Sequence, residues 1–257
     1  MKRESIQYES EAFSCEQRGK FAILTMQEQA FKIATDLQVR EDYFSVLAAV
    51  ERSPEVLGLM QMNAIAFPDD KEYREFIRSI MGGDMDTRSR PPVFLKRFAH
   101  SLGQITLKAA NFTKPLIGGI NGVTTLEYLG LTLPFDFRFA TQNTSFTFPN
   151  LSLGFPPSGP LAFYLVRYVG PGKALEIFLS GQPLSASEAQ KLGLITAVVS
   201  GDELEQRCSE KLEELSAFSS IAVSATRSMV QPEPAELELF LRRSFDSVWT
   251  SLMQMNK

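Results

Sequence analysis

The chain has 257 residues, 44% of them hydrophobic, and a formal net charge of −4. That is enough for one compact domain of ordinary core size, and no basic face points to a nucleic-acid partner. No apolar run reaches the roughly 18 residues of a membrane span, and the polar start MKRESIQYESEAFSCEQRGK has no signal-peptide core, so a cytoplasmic protein is expected. Two cysteines, Cys15 and Cys208, and one histidine, His100, leave no metal-type spacing and no Ser-His-Asp or Cys-His set. His100 sits in a helical-looking stretch and is read as an ordinary helix residue.

Phe21 to Met26 (FAILTM) fits a buried strand. Leu37 to Glu51 has helical spacing, with Val39, Tyr43, Val46, Leu47 and Val50 on one face, and Ser53-Pro54 stops it. Val56 to Met62 reads as a second strand, so the opening is the strand-helix-strand crossover of a parallel sheet. Residues 63–92 are loop-rich around a short helix from Lys71 to Met81, and include Gly82-Gly83-Asp84 and the RSRPP run. A helix from Val93 to Ala110 leads to a strand from Leu116 to Ile120 and the turn Asn121-Gly122.

Val123 to Leu133 reads as a buried helix ended by Pro134. FDFRFA (135–140) alternates, with three phenylalanines on one side and Asp136 and Arg138 on the other, the pattern of a half-buried strand; SFTF (145–148) repeats it. Helices follow over Leu161 to Val169 and Gly172 to Leu179. Ser185 and Glu188 have capping-box spacing and open a helix that Gly193 ends. Ile195 to Val199 is a last strand, and from Asp202 the chain is helical, with a break near Gln231 to Pro234.

Three stretches and one acidic residue carry a family resemblance. KPLIGGINGV (114–123) resembles a KPxIAAxNG segment, and Asp136 stands at the spacing of the acidic residue that follows it. FPNLSLGFPPSG (148–159) resembles FxxPExxLGxxPGxG. LSGQPLSASEAQKLGLITAVV (179–199) resembles LTGxxxxAxEAxxxGLVxxVV. In this order they resemble the enoyl-CoA hydratase/isomerase (crotonase) superfamily. The resemblance implies an α/β fold, a crotonase-like spiral of β-β-α units over residues 1–200, with a helical C-terminal trimerisation region over 201–257. It further implies an acyl-CoA ligand, a homotrimer or hexamer, an oxyanion hole of two backbone N–H groups, and no cofactor or metal beyond the coenzyme A of the substrate.

The chain departs from the family where the chemistry sits. The family's glycine triplet, which supplies one oxyanion donor, falls on Leu126, Glu127 and Tyr128. Its two hydratase glutamates fall on Gly130 and on Asn150, the latter following Pro149. Neither can exchange a proton near neutral pH, so ordinary hydration is not expected. The other donor falls on Pro68, which has no N–H, with Phe67 and Asp69 as the neighbours a one-residue slip would bring in. Ser158 replaces a glycine, and the family's usual C-terminal motif is missing after LMQMNK. Two readings stand. One is an enzyme with non-hydratase acyl-CoA chemistry in which Glu127 carries protons and Asn150 positions the substrate. The other is a catalytically inactive binding or assembly subunit that kept the fold.

Overall fold

A computed structural model describes residues 6–81 and 93–255; the Gly82–Asp84 and RSRPP segments lie outside the described residues. The chain starts with β1 (Tyr8–Glu9), β2 (Phe13–Arg18) and β3 (Phe21–Met26), then α1 (Lys32–Thr35), α2 (Leu37–Arg52) and β4 (Gly58–Asn63). Next come α3 (Asp70–Met81), α4 (Val93–Ala110), β5 (Leu116–Ile120), β6 (Val123–Thr125) and α5 (Leu126–Thr132). β7 (Phe137–Thr141) and β8 (Ser145–Thr147) lead through a 3₁₀ turn at Leu151–Leu153 into α6 (Leu161–Ser180). The rest is β9 (Leu184–Ser185), α7 (Ala186–Lys191), β10 (Ala197–Val199), α8 (Leu204–Ser216), α9 (Ser220–Val230) and α10 (Pro234–Met255).

The main sheet has the order β1-β2-β3-β4-β5-β7-β10, antiparallel through β3 and parallel from there on. A small sheet holds β6, β8 and β9. Successive strands alternate between the sheets: β5 lies in the large one and β6 in the small one before α5, and β7 and β8 repeat the step before α6. This is the β-β-α spiral expected from the sequence. The strands β1 and β2 were not expected; the polar reading of residues 1–20 hides the alternation Phe13, Cys15 that buries one face of β2.

Most local signals hold. Tyr43, Val46, Leu47 and Val50 are buried on the inner face of α2 as expected, and Asp36, not singled out from the sequence, accepts from the amides of Gln38 and Val39 to start that helix. Ser185 and Glu188 form the capping box, and Gly193 stands at φ +75° beyond α7. The two expected helices after residue 160 run on as α6 with a bend at Gly170, φ +77°, next to Pro171.

Two readings need correction. The segment 123–133 starts as a strand because β6 pairs with β8, and only then turns helical at the Thr125 N-cap. The strand with FDFRFA is buried on both sides, because parallel partners flank it. Arg138 is therefore an interior residue, 3% exposed. Its guanidinium donates to the carbonyls of Thr132, Leu133, Phe135 and Leu194 and to the Tyr168 hydroxyl. Asp136 ties two elements: Oδ2 accepts from the Leu116 amide at 2.7 Å and Oδ1 from Arg227 Nε at 2.5 Å.

Leu204, Cys208 and Leu212 of α8 close the outer face of the main sheet against Phe21, Ile23, Met60, Ile117 and Phe139. Both cysteines are free and buried, and burial pushes each thiol up to about 12. α10 lies against α4. Among the described residues no helix is long and apolar enough to cross a membrane.

Candidate functional site

The small sheet builds the site. β6 and β8 run parallel in the register Val123↔Ser145, Thr124↔Phe146, Thr125↔Thr147. Both chains then leave the sheet in the same direction, so residues just past Thr125 come level with residues just past Thr147. Glu127 and Asn150 are thereby brought together across 23 positions of sequence: Asn150 Nδ2 donates to Glu127 Oε1. The Ser158 amide donates to the same oxygen at 3.1 Å.

The other carboxylate oxygen, Glu127 Oε2, is sealed from solvent and has no hydrogen-bond partner among the described residues. Burial pushes the Glu127 carboxyl up from 4.5 to about 8, and the bonds from Ser158 and Asn150 offset this only in part. At neutral pH it is mainly protonated, unlike an ordinary glutamate.

Asn150 is fully buried. Its Oδ1 accepts from the Tyr73 hydroxyl at 3.2 Å. Tyr73 belongs to α3 and was not singled out from the sequence. Tyr73 and Ile77 recur at helical spacing on the buried face of α3, and a buried tyrosine needs a hydrogen-bond partner; that pair of facts is the signal that would have found it. Burial and the nearby Glu127 carboxyl raise the Tyr73 pKa well above its ordinary value.

A cavity of about 90 Å³ adjoins these groups, lined by Phe67, Pro68, Tyr73, Glu127, Tyr128 and Ser158 among others. The Tyr128 ring tilts against Phe67 at 4.3 Å between centroids.

The loop after β4 offers no donor from the three positions the sequence pointed to. The Phe67 amide already donates to the Ala64 carbonyl at 3.1 Å. Pro68 has no N–H. Asp69 caps α3: its Oδ1 accepts from the amides of Lys71 (2.7 Å) and Glu72 (3.2 Å), while its own amide donates to Glu72 Oε2 at 2.9 Å. This reciprocal box has the Asp-x-x-Glu spacing of a helix start, visible in the sequence as Asp69 and Glu72.

The remaining expected residues lie outside the cavity. Gly130 faces α6, where a Cβ would stand 2.8 Å from Leu161 Cβ and 2.9 Å from its Cα. Leu126 is a fully buried core residue. The Pro149 carbonyl accepts from Ser152 Oγ at 2.7 Å and from the Leu153 amide at 3.1 Å, which shapes the turn carrying Asn150. His100 is exposed on α4.

The family model for enoyl-CoA hydratase/isomerase matches residues 81–251. The chain belongs to the enoyl-CoA hydratase/isomerase family. Within that family it is similar to a probable enoyl-CoA hydratase of Rhizobium meliloti, 30% identical over 146 residues that cover 55% of this chain and 57% of the relative. It is also similar to a short-chain-enoyl-CoA hydratase of Clostridium acetobutylicum, 24% identical over 84% of this chain and 79% of the relative. With the Clostridium protein as an exception, the chain spans about half the length of the curated relatives it matches. The crystal structure of an enoyl-CoA hydratase from Bacillus halodurans superposes with a TM-score of 0.77 over 94% of this chain and 95% of that one, at 17% identity. That likeness establishes the crotonase fold.

Proposed function

We propose that the protein binds an acyl-CoA thioester and moves a proton on its acyl part, with Glu127 as the acid/base group and without adding water. One observation carries this reading: Glu127 has one oxygen held by two N–H donors, the other unpartnered, and a proton affinity near neutral beside a cavity. In its ionised form it can take a proton from the acyl chain next to the conjugated system. In its protonated form it can return that proton to another carbon, so the double bond shifts and no atom is gained or lost. Hydration needs a second proton-transfer group to activate water, and Asn150 cannot serve.

A specific observation favours the second reading, a non-catalytic family member. The developing negative charge on a thioester oxygen calls for two preorganised donors. The amides of Phe67 and Asp69 are engaged within the protein, Pro68 has none, and the Tyr128 amide donates to Thr125 Oγ1, which leaves the amides of Leu126 and Glu127 as the donors among the expected positions. An assembly role would draw on α9 and its flanks, where Ile221 and Met229 are 81% and 86% exposed beside Phe218 and Val230. Homotrimer or hexamer formation through this helical region is part of the proposal.

Calorimetric titration with a panel of acyl-CoAs separates the readings. Binding, with double-bond migration lost in Glu127→Gln and kept in Asp70→Asn, is the outcome expected of the enzyme. Absence of binding to every member of the panel overturns it in favour of the scaffold.

A further inference from the structure

If Glu127 moves a proton on an acyl group, the carbons that lose and gain it must lie beside its carboxyl, and so must every substituent on those carbons. The space there is small. The cavity that Glu127 lines holds about 90 Å³. That is room for roughly three water-sized groups, whereas a benzene-sized ring fills an apolar cavity of roughly 150 Å³. The walls differ in how far they can yield. Phe98 and Leu102 also line a second cavity, of about 50 Å³, between α4 and α10, so they have space to move into. Met26 carries a flexible thioether side chain. Tyr128 has neither outlet. Its amide donates to Thr125 Oγ1 at 3.2 Å, which fixes it in the capped first turn of α5. The residue is 6% exposed, and its ring lies against Phe67. Its hydroxyl is directed at the side chain of Gln61 in β4, which is itself buried and accepts from the Tyr43 hydroxyl at 3.4 Å.

We propose that Tyr128 is a specificity-determining residue of this site: with Phe67 it forms a rigid wall that admits an unbranched acyl chain at the reacting carbons and excludes an aryl group there. The proposal rests on the reading of Glu127 as proton carrier and names the substrate class that this reading leaves open. A straight chain needs only its own width beside Glu127. A ring conjugated with the thioester brings six carbons into the cavity of about 90 Å³ at once. Making room for them means displacing a tyrosine packed on two sides, and close-packed interiors resist such overpacking.

Calorimetric titration of the full chain with butyryl-CoA and benzoyl-CoA reads the selection. Wild type is expected to bind butyryl-CoA roughly ten- to a hundredfold more tightly, the range that overpacking a core gives. Tyr128→Ala removes the ring and is expected to tighten benzoyl-CoA at least roughly tenfold, with butyryl-CoA unchanged or weaker. Tyr128→Phe keeps the bulk of the wall and is expected to keep the wild-type order, which separates bulk from the hydroxyl. Equal affinity of wild type for the two ligands overturns the proposal. So does a Tyr128→Ala protein that still refuses benzoyl-CoA, or a loss of discrimination in Tyr128→Phe. Should Tyr128→Ala fail to fold, Phe67→Ala takes away the other ring of the pair and is read in the same way. If no acyl-CoA binds to wild type, the functional reading fails while the wall is still tested with benzene alone. A thermal shift by benzene in Tyr128→Ala and none in wild type supports it; equal shifts, or none in either, overturn it.

Discussion

Asn150 donates its side-chain N–H to Glu127, a contact that joins two residues 23 positions apart in sequence. The pair exists because β6 and β8 are parallel and in register, and both residues follow their strands by two or three positions. Much of what can be tested follows from the burial of that carboxyl.

The folded-state pKa of Glu127, about 8, lies above its ordinary 4.5. A carboxyl raised in this way stabilises the fold relative to its ionised form. The contribution is fully present below pH 4.5 and is lost as pH rises through 8. Wild-type stability is expected to fall across that window by an amount on the order of a few kcal/mol. Glu127→Gln, which cannot ionise, is expected to flatten the curve. Urea denaturation at several pH values checks both, and a variant curve parallel to wild type would refute the assignment.

Hydration of crotonyl-CoA is expected to be absent, and placing glutamates at positions 130 and 150 is expected not to create it. Position 130 has no room: the new side chain would begin 2.8 Å from Leu161 Cβ, against the start of α6. Gly130→Glu is expected to cost at least roughly 1–3 kcal/mol through overpacking. The combined Gly130→Glu, Asn150→Glu protein is expected to show no loss of the enoyl absorbance of crotonyl-CoA. Thermal melts and that absorbance assay are the measurements.

Lys114, part of the KP pair that marks the family, has a structural task. Its Nζ donates to the carbonyls of Val50 (2.7 Å), Ser53 (2.5 Å) and Val56 (2.6 Å), closing the C-terminal end of α2 and the turn into β4. Lys114→Met leaves three carbonyls without their cation and is expected to lower stability by about 2–4 kcal/mol. Chemical denaturation checks the loss. Binding of acyl-CoA measured well below the melting temperature is expected to be unchanged.

A second apolar cavity, about 50 Å³, lies between α4 and α10 and shares Phe98, Leu102, Ser158 and Gly159 with the cavity at Glu127. These four residues form the wall between the two cavities, and an acyl chain bound at Glu127 is expected to extend past them. Affinity is expected to rise about fourfold per methylene, up to a chain on the order of six carbons, and then level off. Leu102→Trp, which adds bulk where the two cavities meet, is expected to remove the chain-length dependence and leave the coenzyme A contribution. Titration with a series of saturated acyl-CoAs reads both.

The order of elements was legible because its signals are local. The Ser185 cap, the Gly193 stop, the inner face of α2 and the motifs between 114 and 199 depend only on neighbours in sequence. The same local chemistry explains why Asp69 has no amide to spare, since Glu72 three residues on completes a helix cap. Tertiary structure alone decided that Glu127 meets Asn150, that Tyr73 stands behind that amide, that Gly130 is pressed against Leu161, and that Arg138 is interior rather than solvated. Those facts rest on strand register and on helices packing across long separations, and a residue's type does not reveal which groups will surround it once water is excluded.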